Sequence, residues 1–571
     1  QRRGNSERAL RAINRALELS REIGNRYNEL RCLFARGEIL HALGRAAGRQ
    51  MYAAAARLAA RIAVPEVQWR ALYALGRLRE AAGAKQAARR LYQQALGVAE
   101  QLGRGGAQLR GKYTRRALYT DALRLARAAD EPARVFELME RARARALLDV
   151  LATHRLDFPD PRAKTLLRAV VDARDAWHQA RSSTAAPPQD GARAASTEAL
   201  PEPQASAQQD WENSLHAAQA RYASARAELR AAYPRLARLM TIEPARLQSL
   251  QARLPAGAAV LSFFAAERQL WVQIIRADTT AVRTLPLTRA ELQTRVSQLQ
   301  GHMEVFGDVA AQLERLSEQL LAPLASDLEA LDKLIVIPDG PLFAVPFPAL
   351  SLRQSDLLEL MPVTHAASAS MLTDRLARPA PAPPSSVAAF APAADLPFAR
   401  FEAASIAPAN VFIGPRASEP KVRSAAVDAL AVATHATLDS SAPLSSRLQL
   451  APGPDAGHAS DGKLEMWEIF GWSTNLSLVT LSACHSGASV DVRGDGWLGL
   501  AGAFLRAGVP TVVASQNRVS DLAAAVLMKR FYRLVDETSR GEALRRAALW
   551  TRRFFEHPAH WAQFVLYGDF R

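Results

Sequence analysis

The chain has 571 residues, 49% hydrophobic and 22% charged, a composition typical of soluble globular proteins and too long for one core. Its formal net charge of +16 comes mainly from arginines dispersed along alanine-rich stretches, with few aromatics among them. That pattern gives no direct reading of nucleic acid, and contact with nucleic acid is expected only indirectly.

No apolar run approaches the roughly 18 residues of a membrane helix, so no membrane partner is expected. The first residues, Gln1 to Ser6, hold no hydrophobic signal core. The chain opens without methionine, and an upstream leader or further repeats are expected before Gln1. Two cysteines exclude a disulfide framework and fit a reducing, cytoplasmic location. There is no phosphate-binding glycine loop, no Gly-x-Ser-x-Gly elbow and no Cys/His spacing for zinc, so neither cofactor nor metal is expected.

Residues 1–150 are rich in Ala and Leu at helical spacing. Gly37, Gly44 and Tyr52 recur as Gly76, Gly83 and Tyr92, shifts of 39, 39 and 40 residues. Small residues with a following aromatic and alanine (Tyr92, Ala95) fit helix–turn–helix repeats of the tetratricopeptide type, in which small residues let paired helices approach closely. A generic helical bundle is the alternative. Ala9 to Leu19 fits the second helix of an earlier repeat, and Tyr119 to Ala142 a degenerate last one. Cys32 is expected to be buried between repeat helices. Residues 151–250 are expected to form a helical connector interrupted by a flexible Ala/Pro/Ser-rich loop at about 182–209.

From about residue 251 the pattern changes to short apolar runs. Ala259 to Phe264 and Leu270 to Ile275 form a hairpin, and Leu334 to Ile337 a strand ending in Pro338-Asp339-Gly340-Pro341. Pro379 to Pro384 reads as a linker or surface loop. Strands Ala429 to Thr434, Leu478 to Leu481 and Thr511 to Ser515 follow, with helices Leu498 to Ala507, Asp521 to Leu534 and Glu542 to Phe554. Strands alternating with helices imply a mostly parallel sheet flanked by helices on both faces, the α/β part of a two-part architecture.

Cys484, in Leu481-Ser482-Ala483-Cys484-His485-Ser486-Gly487, follows one strand, and His435 follows another. A lone cysteine at a strand end is most often a small buried hydrophobe, and a lone histidine a structural residue. Here both runs pass from apolar strand into small and polar residues at the same point, which favours a thiolate–imidazole pair.

These segments resemble the CHAT domain, a bacterial branch of the caspase-like cysteine peptidases often fused to tetratricopeptide repeats. Glu140 to Asp149 is similar to the usual junction segment, and the domain begins near Leu254-Pro255-Ala256-Gly257. Ile335 to Leu342, Ala433-Thr434-His435, Leu481 to Cys484, Gly494 to Leu500, Val512 to Ser515 and His560 to Leu566 then follow in family order. The resemblance implies a caspase-like domain over 251–571, with a cysteine endopeptidase dyad of His435 and Cys484 acting by acyl transfer on a protein or peptide substrate. It also implies an oxyanion hole from the N–H groups of Ala436 and Cys484, without a required acid third member.

Two departures stand out. Ala436 replaces the usual glycine, and Cys-His-Ser-Gly replaces Cys-Glu-Thr-Gly. His485 and Asp495 are candidates for the substrate pocket, although Asp495 in its glycine-flanked loop could instead brace a turn. His365 competes with His435 and reads as structural. The polar segments Thr437 to Ser446 and Ala488 to Arg493 are expected to be poorly ordered pocket walls. The repeats are expected to recognise a substrate or an activating partner. The alternative is a catalytically weak or inactive repeat-based protein–protein interaction scaffold, favoured by Ala436 and further favoured if Ala436 takes positive φ.

Overall fold

The computed structural model of the chain describes residues 2–101, 113–151, 162, 165–166, 168–170, 172–173, 176, 203–232, 245–439, 442–454, 460–472, 474–483, 486–487 and 499–571. They fall into two compact units, residues 1–129 with 160–240, and residues 130–159 with 241–571.

The first unit is helical: α1 (Arg2–Glu22), α2 (Arg26–Ala42), α3 (Gly48–Arg61), α4 (Pro65–Ala81), α5 (Lys85–Gln101) and α6 (Arg115–Ala128). The recurring residues take matching places in two hairpins. A Cβ on Gly37 of α2 would lie 2.9 Å from the Tyr52 ring of α3, and one on Gly76 of α4 would lie 2.5 Å from the Tyr92 ring of α5. Each glycine thus seats a buried tyrosine of the next helix against bare backbone. Gly44 and Gly83 end their helices at φ 71° and 77°, the left-handed turn that glycine adopts at no steric cost. Cys32 on α2 is buried. Tyr113, just before α6, links the hairpins edge-to-face, touching Phe34 on α2 and Tyr73 on α4.

Of the expected loop at 182–209, residues 182–202 lie outside the described residues. Residues 203–209 are helical, opening the helix Pro203–Ala232. Proline suits a first helical turn, and the Ala/Gln-rich stretch behind it contains no glycine.

The second unit opens with α7 (Pro132–Leu151). Buried Glu140 on this helix receives the Ser370 N–H and hydroxyl, both at 2.7 Å, and pairs with Arg143, which also reaches Ser262. The junction segment is therefore anchored on the sheet.

That sheet has eleven strands in the order β3-β2-β1-β4-β7-β16-β15-β14-β10-β8-β9. They are β1 (Ala258–Ala265), β2 (Leu270–Ile275), β3 (Thr280–Leu285), β4 (Lys333–Ile337), β7 (Val363–His365), β8 (Val387–Ala391), β9 (Val411–Ile413), β10 (Ala429–Ala433), β14 (Leu478–Ser482), β15 (Thr511–Ser515) and β16 (Phe564–Gly568). Neighbours from β1 to β9 run parallel except β15 against β16, and the β1–β2–β3 meander is antiparallel. The sheet thus joins two parallel blocks of opposite direction at β15/β16. Strands β8, β10, β14 and β15 are almost wholly buried, as their unbroken apolar runs require. Hairpin β5 (Ser351–Leu352) and β6 (Ser355–Asp356) and a small antiparallel sheet of β11 (Ala436–Thr437), β12 (Arg447–Gln449) and β13 (Lys463–Glu465) complete the strands.

Candidate active site

Within the block β9-β8-β10-β14-β15 the chain begins at β8, moves outward to β9, then returns to β10 on the other side. Strand order reverses between β8 and β10, and such a switch point opens a crevice beyond the carboxyl ends of the strands. Two residues past the end of β10 stands His435. In the loop after β8 stands Asp395, whose carboxylate accepts a hydrogen bond from His435 Nε2 at 3.0 Å. This bond holds the Asp395 carboxyl below its ordinary range. Both side chains are substantially solvent-exposed, at 46% and 73%.

β10 and β14 are in register, Ala433 opposite Ser482, and the ladder continues with Thr434 N–H donating to Ser482 O at 3.2 Å. Cys484, His485 and Asp495 lie outside the described residues, as do residues 488–493 of the second expected pocket wall. The chain on either side of Cys484 and His485 is firmly held. The Ala483 carbonyl accepts the Ser515 hydroxyl at 2.6 Å and the Ser486 N–H at 3.0 Å. Ser486 Oγ donates to Leu481 O, and Gly487 N–H donates to Ser515 O at 2.7 Å. Gly487 is required by space: a Cβ there would meet Tyr567 Oη at 3.0 Å and the carbonyls of Ala514 and Ser515 at 3.1 Å.

Ala436 begins β11, opposite Leu448. It is in extended backbone, not in the left-handed region. Gln449 N–H donates to His435 O at 2.9 Å, which makes His435–Gln449 a hydrogen-bonded pair and Ala436–Leu448 a non-bonded one. The Ala436 N–H therefore points away from β12, off the free edge of β11.

The expectation of poor order in Thr437 to Ser446 needs correction for its described part, 437–439 and 442–446. Pro443 and Leu444 are buried, Ser446 Oγ receives the Asp439 N–H, and Met466 N–H donates to Ser446 O. One Pro-Leu anchor suffices to pin an otherwise polar segment.

Two further acids lie behind this edge. Glu402, on the helix Pro397–Ile406, is 1% exposed and accepts the Ser482 hydroxyl at 2.6 Å. Burial pushes its carboxyl up to about 8, so it is neutral at pH 7. Asp521, at the start of the helix Asp521–Leu534, accepts the Phe398 N–H at 2.8 Å and so caps the neighbouring helix. Burial raises its pKa as well, and the charges of His435 and Asp395 act on it.

His365 is at the opposite extreme. It lies on β7, three strands from β10's neighbour β14, buried edge-on between the rings of Phe347 and Tyr567. Burial lowers its pKa to about 3, leaving a neutral, structural imidazole. No metal-binding cluster of His, Cys, Asp and Glu, and no helix long and apolar enough to cross a membrane, occurs among the described residues.

Residues 310–569 match the family model of the CHAT domain. The matched segment includes Asp395, His435 and Cys484 but starts after β1–β3, although β1 pairs with β4 in the same sheet. No curated protein matches the chain. Among solved structures, two crystal structures of the Saccharomyces cerevisiae separase–securin complex are similar to it. One has a TM-score of 0.42 at 9% identity, the other 0.43 at 11%, each covering 95% of this chain and 50% of the other. The chain thus spans half the length of those proteins.

Sequence reasoning missed Asp395, Glu402 and Asp521. The signal for Asp395 was the run Val387-Ala388-Ala389-Phe390-Ala391, a short strand followed by Pro392 and an acid, the same strand-to-polar transition that marked His435.

Proposed function

We propose that the chain is a caspase-like cysteine endopeptidase in which Cys484 is the nucleophile and His435 the general base and acid. The observation that carries this reading is His435 itself, held by Asp395 at the switch point, one strand from the β14 end that leads into Cys484. With Nε2 bonded to the carboxylate, Nδ1 is the nitrogen for the thiol. The imidazole takes the Cys484 proton, the thiolate attacks the scissile carbonyl, and His435 returns the proton to the departing amine. Water, deprotonated in turn by His435, then hydrolyses the thioester. Asp395 orients the ring and stabilises the imidazolium between these steps. The Ala436 N–H, directed off the β11 edge, and the Cys484 N–H stabilise the tetrahedral oxyanion. His485 and Asp495 contribute to the substrate pocket.

The helical hairpins of the first unit, tetratricopeptide-like in their glycine–tyrosine packing, recognise the protein substrate or an activating partner in the cytoplasm. The extended backbone at Ala436 supports a working oxyanion donor, and so the peptidase reading over the repeat-scaffold alternative. A thiol-reactive peptide probe tests the reading. Labelling that persists in Cys32→Ala but disappears in Cys484→Ala and falls in His435→Ala supports it. Equal labelling of wild type and His435→Ala overturns it.

A further inference from the structure

Three large apolar side chains stand exposed beside the His435–Asp395 pair: Phe398 (40%), Phe401 (49%) and Leu522 (37%). They occupy the first two turns of the helix Pro397–Ile406 and the first turn of Asp521–Leu534, clamped together by the Phe398 N–H bond to Asp521. Phe398 and Phe401 are three residues apart and so share a helix face. The Lys529 ammonium stacks over the Phe401 ring, 4.7 Å from its centre. Pro397 opens its helix two residues after Asp395, and Asp521, which accepts the Phe398 N–H, is close enough to His435 and Asp395 to feel their charges, so the patch adjoins the candidate site.

The order of strands gives the patch a direction. Cys484 follows β14, His435 follows the neighbouring β10, and Asp395 with the Phe398 helix follows β8, one strand further on. In the proposed acyl transfer the imidazole delivers its proton from Nδ1 to the departing amine, so the leaving segment departs on the imidazole's side of Cys484 and runs on past the ring. That is the side of Asp395 and Phe398, and the Phe398–Asp521 bond brings Leu522, whose helix follows β15, to the same place.

We infer that Phe398, Phe401 and Leu522 receive the part of the substrate that follows the scissile bond and select a bulky apolar side chain there. This inference rests on the peptidase reading above. An apolar substrate side chain covering these residues removes hydrophobic surface on both partners from water, an effect worth about tenfold or more in kcat/KM. The exposed rings of Phe398 and Phe401 offer no hydrogen-bonding group, so a polar residue at the same place gains nothing.

The test uses the full chain and an internally quenched peptide library randomised at the three positions after the cleaved bond, with products sequenced by mass spectrometry. Leu, Met and Phe are expected to be enriched there over Gly and Ser. In the triple variant Phe398→Ser, Phe401→Ser, Leu522→Ser, the kcat/KM ratio for apolar over small residues at these positions should fall about tenfold. Preference before the bond and the rate of Cys484 alkylation by iodoacetamide should stay the same. If the triple variant does not fold, Phe401→Ser alone, at the most exposed position, should lower the same ratio. An unchanged ratio in a folded variant overturns the inference while leaving the peptidase intact. Loss of a self-associated dimer in the variant, without any change in preference, also overturns it. Should wild type cut no library peptide and Cys484 alkylate no faster than an unactivated thiol, the peptidase reading itself fails, and this inference with it.

Discussion

The Asp395 carboxylate grips His435 Nε2 at 3.0 Å, tying the loop after β8 to the residue that follows β10 across the point where the strand order reverses. The bond fixes the tautomer and, in the proposed mechanism, leaves Nδ1 for the thiol. Asp395→Ala is expected to lower turnover and the alkylation rate of Cys484 about tenfold, part of the roughly 10²–10⁴ that general acid–base catalysis supplies. Because the pair is largely exposed, the melting temperature should hardly move. A drop in stability with unchanged alkylation would reassign Asp395 to a purely structural role.

Gly487 tests how the loop after β14 is held. Gly487→Ala places a Cβ at 3.0–3.1 Å from Tyr567 Oη and two β15 carbonyls; the carbonyls cannot retreat without breaking the sheet, and the Tyr567 ring is fully buried. Tyr567 also donates to the Gly487 carbonyl at 2.9 Å. The expected cost is about 1–3 kcal/mol of stability, together with slower alkylation of Cys484. Thermal melts with parallel labelling measure both.

The helical unit offers a matched pair of glycines. Gly76→Ala forces a methyl to 2.5 Å from the Tyr92 ring, whereas Gly97→Ala, on α5, meets nothing within 4 Å. The first should destabilise the helical unit by about 1–3 kcal/mol. The second should stabilise it by about 0.5–1 kcal/mol through helix propensity. Helical circular dichroism followed against urea separates the two, and equal behaviour would contradict the packing described.

Much of this architecture could be read from the sequence because it follows from local pattern. The strand Thr511–Ser515 and the helix Asp521–Leu534 fall at the expected bounds, and the glycine–tyrosine spacing anticipates the close helix contacts. What escaped was non-local. β8 is a five-residue run of mostly small residues, and β16 lies among closing turns, so neither stood out. Without β8 the switch point is invisible, and Asp395, 40 residues before His435, has no reason to be paired with it. Glu402 looks like an ordinary helix surface acid until the sheet covers it.

Glu402 gives stability a pH dependence whose sign is fixed. Its carboxyl rises from 4.5 to about 8 on burial, so the folded chain holds this proton more tightly than the unfolded chain. Its stabilising effect is fully present below about pH 4.5 and is lost as pH rises through about 8. Glu402→Gln mimics the neutral acid and keeps an acceptor for Ser482. Its melting temperature should match wild type near pH 5 and exceed it at pH 9, each kcal/mol being worth about 2–4 °C in a domain of this size. A constant difference across the range would mean that Glu402 is ionised in the fold.

Ala436 separates catalysis from stability most cleanly. Its N–H points off the edge of β11, so removing it breaks no ladder bond, and proline is tolerated at such an edge position. His435, one residue earlier, accepts the Gln449 N–H through its carbonyl and needs no αR conformation, which suits the residue before a proline. Ala436→Pro should therefore fold, with a melting temperature near wild type and an intact His435–Asp395 bond. Losing one oxyanion donor should still cost about 10²–10³ in turnover. Alkylation of Cys484 by iodoacetamide, which forms no tetrahedral intermediate, should be nearly unchanged. Ala436→Gly keeps the donor and should retain activity. If Ala436→Pro turned over peptide as fast as Ala436→Gly, the Ala436 N–H would not be part of an oxyanion hole, and the second donor would have to be sought elsewhere at this edge.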